Sequence, residues 1–333
     1  MTIKDLSQLT KKTFNVKRGF NYTYYTFPAQ NCKPTLFLFH GWPDSARLWA
    51  GLIHDYLIPH GYGVIALDNL GFGDSSKPTD PGSYAPSHLT ADVVEILEAE
   101  GLDSIVSVGH DWGSLIAQRL YNFHPERVRG LALISVPYMI PTDHFDLDAI
   151  NEMTKNVFGA GVFEYWHFFT AEDAADIMNR NLESVYSVVF GEPDTWLKTW
   201  CAPEGMREFV TQGRTQPAIS FATPEHKADF MERYRKDGGF ASSLCAYTVT
   251  SSGVRAESDR MLTDESITVK VPVLYWGGKQ DYVCRPEMSQ QAIAAGVLPD
   301  VKTLIRDGGH WAFLEAPARF GQDILGWLQD RFE

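Results

Sequence analysis

The distribution of apolar positions changes character twice along the chain. In the first 138 residues four short apolar runs recur, TLFLFHG, GVIALD, IVSVGH and LALISVP. Each is rich in β-branched or aromatic residues and each is followed by turn residues. Amphipathic stretches separate them. SHLTADVVEILEAEG puts Leu89, Val93, Ile96 and Leu97 on one helical face, with Ser87 as the expected N-cap and Gly101 as the stop. Apolar strands alternating with amphipathic helices predict a mostly parallel sheet flanked by helices. The opening FNVKRGFNYTYYTF alternates with period two and turns at Gly19, which predicts an antiparallel hairpin at the sheet edge.

After Tyr138 the strand runs stop, and as far as about Arg260 the pattern is helical. TAEDAADIMNRNLESVYSVVF places Ala174, Ile177, Met178, Leu182, Val185 and Val189 on one stripe. TPEHKADFMERYRKDGG opens with a Thr223 cap and Pro224 at the first helical position, and is expected to stop at Gly238. Then VPVLYWGG and VKTLIRDGG restore the strand rhythm, and APARFGQDILGWLQDRF reads as a closing helix. The expected organisation is a core built from residues 1–138 and 261–333, with residues 139–260 inserted as an all-helical cap.

Composition narrows the function classes. The chain has 333 residues, 44% hydrophobic and 21% charged, and a net charge of −13 without a dense Lys/Arg run. That argues against nucleic acid or an anionic membrane as a partner. The cysteines Cys32, Cys201, Cys245 and Cys284 are scattered and form no CxxC pair, so reduced thiols in a cytoplasmic protein are expected. MTIKDLSQLTKK lacks an apolar core of signal-peptide length, and no stretch reads as a membrane span.

In open parallel sheets, ligands bind beyond the C-terminal ends of the strands. Asp111 falls there after IVSV, Asp281 after VLYWGGKQ and His310 after TLIRDGG. Nucleophile, acid and histidine in that chain order match the α/β-hydrolase triad, with aspartate where serine is usual. Asp111 alone could cap the following helix, but the frame GHDWG is more constrained than a cap requires. His110 adjoins it, yet no HExxH or clustered carboxylate–histidine spacing points to a metal, and no cofactor is expected.

An aspartate has a reference pKa of about 3.9 and is already ionised at neutral pH. It needs no base to attack a saturated carbon, and the product is an alkyl ester of Asp111 itself. Water must then hydrolyse that ester, so the histidine acts in the second step as general base, oriented by Asp281. The second step puts negative charge on the Asp111 carbonyl oxygen, where two backbone N–H groups should meet it. Trp112 supplies one and Trp42, in FLFHGWPDS, the other. A cis bond before Pro43 is expected to aim that loop.

On HGWPDS (40–45), GHDWG (109–113), GGKQD ending at Asp281 and GGHWAFLEAP around His310, the chain resembles the soluble epoxide hydrolases of the α/β-hydrolase family. LDNLGFGDSSKP fits as well, except for Leu70 where relatives commonly have arginine. The resemblance covers nearly the whole chain. It implies an α/β-hydrolase fold with a helical cap, and two cap tyrosines that hold the epoxide oxygen. VFEYWHFF matches the first at Tyr165 and GGFASSLCAYTV the second at Tyr247. Tyrosine suits the task, because an opening epoxide leaves an alkoxide that needs a proton, whereas a halide needs only N–H donors. The nucleophile motif alone also fits haloalkane dehalogenases. Fluoroacetate dehalogenases are the nearest rival, but they usually carry arginine where this chain has Trp112. The expected reaction is hydrolysis of an apolar epoxide to a vicinal diol, with Trp42, Trp112, Val283 and Trp311 near the substrate. A binding module with degraded catalysis is a third class, and the full set of catalytic residues argues against it.

Overall fold

The computed structural model describes residues 5–236 and 238–333. Among these, eight strands make one sheet: β1 (Thr10–Asn15), β2 (Asn21–Phe27), β3 (Thr35–Phe39), β4 (Gly63–Leu67), β5 (Ile105–His110), β6 (Val128–Ile134), β7 (Val273–Gly278) and β8 (Val301–Arg306). Their order across the sheet is β1-β2-β4-β3-β5-β6-β7-β8. β1 and β2 form the expected antiparallel hairpin, turning at Gly19 with φ +83°, and β2 also runs antiparallel to β4. The remaining pairs are parallel.

Every residue of β3, β4, β5 and β7 is buried, because both sheet faces are covered. The pleat sends neighbours into two separate cores. Leu36 and Leu38 join one and Phe37 and Phe39 the other. The first of these cores continues into the helical segment after β6 and takes in Tyr165, Trp166, Phe169 and Tyr247.

Helices dominate between β6 and β7, from Leu147–Phe158 to Asp264–Ile267, with one isolated bridge between Gly191 and Ala218. Three local expectations need correction. Ser87 does not cap its helix: the helix begins at Pro86, whose fixed φ and missing N–H suit the first position, with no side-chain cap. The stripe at 174–189 is two helices, Ala174–Arg180 and Leu182–Val189, parted at Asn181, whose side chain bonds back to the Ile177 carbonyl. The helix from Pro224 is capped by Thr223 as expected, but it ends at Arg235. Lys236 is already extended, and Asn179 holds the turn beyond it through the Gly238 carbonyl and the Phe240 N–H.

Candidate active site

Chain order around β3 reverses: β4 lies on one side of it and β5 on the other. Such a switch point opens a crevice at the strand ends. The loop after β3 and the corner after β5 therefore meet there.

Asp111 forms that corner, at φ +53° and ψ −125° between β5 and the helix Trp112–Phe123. A non-glycine residue held there costs on the order of 1–3 kcal/mol, and the surroundings must impose it. They do so by close approach. A Cβ on Gly109 would collide with the Gly113 carbonyl, and one on Gly113 with the Phe39 carbonyl. Ser114 closes the corner, its Oγ donating to the Gly109 carbonyl at 2.6 Å. The Asp111 side chain makes no capping bond to the helix. It turns instead toward the β3 loop, where a Cβ on Gly41 would strike it.

There the Trp42 N–H donates to Asp111 Oδ1 at 2.9 Å. The loop is clamped from both sides. Asn69 bonds His40 through its backbone N–H to Nε2 (3.1 Å) and its amide to the carbonyl (2.6 Å). Arg233 and Tyr234, from the helix Pro224–Arg235, donate to the Pro43 carbonyl at 2.8 and 3.1 Å. The Trp42–Pro43 bond is cis.

His310 and Asp281 arrive from β8 and β7. His310 Nδ1 lies 2.8 Å from Asp281 Oδ2, and Nε2 faces Asp111 Oδ2 at 3.6 Å, beyond hydrogen-bond length. Asp281 Oδ1 accepts from the backbone N–H groups of Val283 (3.2 Å) and Cys284 (2.8 Å). The His310 carbonyl is held by Ser135 Oγ at 2.8 Å and lies 3.2 Å from His110 Nε2. Gly278 lets the two loops touch, since a Cβ there would hit the Gly309 carbonyl.

Burial pushes the Asp111 carboxyl above its ordinary range, against the pull of His310 and of the Trp112 and Trp42 N–H groups. Burial also disfavours the charged form of His310, but Asp281, by charge and hydrogen bond, and Asp111 outweigh it and leave the ring raised above 6.5.

Tyr165 and Tyr247 come from separate helical segments, and their rings meet edge to face with centroids 5.8 Å apart. Burial drives both phenols well above their ordinary pKa, and the Asp111 charge adds to the shift. Both therefore keep their protons and can donate. Trp42 packs at 6.0 Å from Tyr247, and Trp112 at 5.1 Å. Val283 and Trp311 are buried, and the Trp311 indole donates to Asp44 at 2.9 Å.

Four residues near this site were not singled out by the sequence pattern. Asp44, inside the HGWPDS motif, is a buried carboxyl that desolvation raises to about 6. Trp196 and Trp200, four apart, stack on each other and reach His310 and Tyr165 respectively. Cys284, a free thiol, lies within 4.8 Å of ligand atoms of both Asp111 and His310.

A family model described as alpha/beta hydrolase fold matches residues 34–317. The chain belongs to this family. Within it, the chain is 28% identical over 311 residues to the Rattus norvegicus protein named bifunctional epoxide hydrolase 2, covering 92% of this chain and 54% of that one. It thus spans about half the length of that relative. Epoxide hydrolase A of Mycobacterium tuberculosis is 27% identical over 312 residues, covering 89% of this chain and 90% of that protein. Among solved structures, an epoxide hydrolase from an endophytic Streptomyces superposes with a TM-score of 0.81 at 23% identity, covering 96% of this chain and 95% of the other. Epoxide hydrolase A from Mycobacterium thermoresistibile gives 0.76 at 25% identity, with 96% and 98% covered.

Proposed function

We propose that the protein hydrolyses apolar epoxides to vicinal diols through an ester of Asp111. The observation that carries this reading is the pair Tyr165 and Tyr247, two protonated phenols within the field of one carboxylate. An alkoxide leaving group needs such donors and a halide does not. The names of the relatives support the same reaction.

In this mechanism the tyrosines hold the epoxide oxygen while Asp111 attacks a ring carbon. The oxygen free to attack is Oδ2, because Oδ1 is held by the Trp42 N–H. Oδ1 then becomes the ester carbonyl, already seated on its donor. His310, backed by Asp281, takes a proton from water. The hydroxide adds to the ester carbon, and the Trp42 and Trp112 N–H groups stabilise the oxyanion. The diol leaves with Oδ2 and the proton that His310 took, the water oxygen stays in Asp111, and the carboxyl proton passes through solvent back to the tyrosine that protonated the epoxide oxygen. Trp42, Trp112, Val283 and Trp311 line the substrate space in this reading. No cofactor enters the chemistry. Residues 139–260 act as the cap that delivers the tyrosines. Among the described residues no helix is long and apolar enough to cross a membrane, and a cytoplasmic location is part of the proposal.

One observation favours a second reading. The indole Nε1 groups of Trp42, Trp112 and Trp166 are buried and make no hydrogen bond of ordinary geometry, those of Trp112 and Trp166 approaching the Tyr247 and Tyr165 hydroxyls respectively, and all three rings pack around Tyr247. Indole donors suit a halide, so haloalkane or fluoroacetate dehalogenation is the alternative. Substitution separates the two. Tyr165→Phe and Tyr247→Phe should each lower the alkylation rate with an epoxide by about 100-fold, with the fold unchanged by circular dichroism. Faster release of halide from a haloalkane or fluoroacetate than of diol from an epoxide, in the unmodified protein, would overturn the proposal.

A further inference from the structure

Cys284 has no task in the mechanism above, yet its sulfur stands beside the two groups that do the chemistry. Among the described residues, Asp111, Cys284 and His310 are the set whose ligand atoms gather closely enough to hold a metal ion, all within 4.8 Å of one another and all buried. We propose that these three residues form a binding site for a thiophilic divalent cation of the zinc class, and that its binding reversibly blocks the nucleophile.

The donor set fits such an ion. A thiolate, an imidazole and a carboxylate are ligands zinc accepts, and three protein ligands leave a fourth position for solvent. At zinc bond lengths, ligand atoms in a tetrahedron lie about 3.3–3.8 Å apart. The His310 Nε2 to Asp111 Oδ2 separation of 3.6 Å already meets this, and a small movement of the Cys284 side chain supplies the third.

Asp281 organises the set from behind. Its Oδ2 meets His310 Nδ1 at 2.8 Å, which leaves Nε2 as the outward ligand. Its Oδ1 accepts from the Cys284 backbone N–H at 2.8 Å, which fixes the residue carrying the thiol. A carboxylate behind a ligating histidine is the usual outer support of a zinc site. Asp44 adds a further carboxyl to the surroundings, which favours a cation.

The balance is simple. The cation takes one lone pair each from Asp111, His310 Nε2 and the Cys284 sulfur. The Cys284 proton passes to solvent, and nothing is oxidised or reduced. Asp111 then has no free oxygen for attack and His310 no free nitrogen for water. The inhibitory consequence rests on the proposed mechanism; the binding does not.

The test uses the whole chain carrying Cys32→Ala, because Cys32 is the exposed thiol. Cadmium titration should show one ion per chain by equilibrium dialysis, with a thiolate-to-cadmium charge-transfer band in the ultraviolet. Cys284→Ala should abolish the band and weaken binding at least about tenfold. Cys284→Ser serves the same purpose if the alanine variant folds poorly. His310→Gln should weaken binding and keep the band. Cys201→Ala should change neither, although its thiol bonds the Tyr282 carbonyl nearby. Magnesium, which prefers oxygen ligands, should not compete. A band that survives Cys284→Ala, or no cadmium bound, would overturn the site. Zinc should stop epoxide turnover and a chelator restore it. Stoichiometric binding without loss of turnover would overturn the blocking role, and a protein inert toward epoxides would count against the mechanism while leaving the cadmium result to stand.

Discussion

The two oxygens of Asp111 have different neighbours, and that difference organises the site. Oδ1 is held by the Trp42 N–H, and Oδ2 faces His310. The same asymmetry makes a prediction about pH. In the proposed mechanism His310 must be neutral to take a proton from water, so ester hydrolysis should fail as pH falls through its folded pKa. In the free enzyme that pKa is raised above 6.5, partly by the Asp111 charge. Esterification removes that charge. The acid limb of the ester-hydrolysis rate, measured by stopped flow, should therefore lie at lower pH than the His310 titration of the free enzyme followed by NMR. A limb at equal or higher pH would contradict the assignment. Gly41 belongs to the same scale. Gly41→Ala places a methyl group against the Asp111 side chain, and should lower epoxide turnover by about 100-fold through misplacement alone, with a loss of stability no greater than about 3 kcal/mol in urea unfolding.

Elements were legible in proportion to how strongly burial dictates them. The apolar runs predicted six strands of the sheet; β3, β4, β5 and β7 are covered on both faces and admit little else, while β8, at the edge, is only partly buried. The edge hairpin was legible from alternation and Gly19. Helix ends were less so. Pro86 displaced Ser87 as the start, and a single backbonding Asn181 split one stripe into two helices. A buried ion pair joins elements that no sequence pattern connects. Arg119, on the helix behind Asp111, donates to both oxygens of Asp259 at 2.7 and 2.9 Å, with both side chains fully buried. Asp259 also accepts from the Thr142 N–H at 3.2 Å. It thus ties the helix behind Asp111 to both ends of the helical segment. Arg255 lies 3.6 Å away, pushed down to about 10 by burial and by Arg119. Asp259→Asn would leave two buried guanidinium groups without their counter-charge. It should cost about 3–5 kcal/mol in urea unfolding, whereas replacing the whole set, Arg119→Met and Arg255→Met with Asp259→Leu, should cost less.

At the scale of the whole molecule, the site is assembled from the ends of β3, β5, β7 and β8 and from helices between β6 and β7. Asp111, Asp281 and His310 were legible because each follows a strand, in a known chain order. Asp44, Trp196, Trp200 and Cys284 were not. Trp196 and Trp200 reach the site by the crossing of a distant segment, which no local period encodes, whereas Asp44 and Cys284 sit beside Trp42 and Val283 in the chain and only the fold shows which way their side chains turn. Leu70 illustrates the same limit: it is buried and, with Trp112, lines a small apolar cavity of about 40 Å³. In the proposed mechanism these segments converge on one covalent intermediate, the ester of Asp111. A single turnover in heavy-oxygen water tests that intermediate most directly, read by mass spectrometry of both the diol and the peptide bearing Asp111. The proposed mechanism predicts label in Asp111 and none in the first diol. Label appearing directly in that diol, with Asp111 unlabelled, would contradict it.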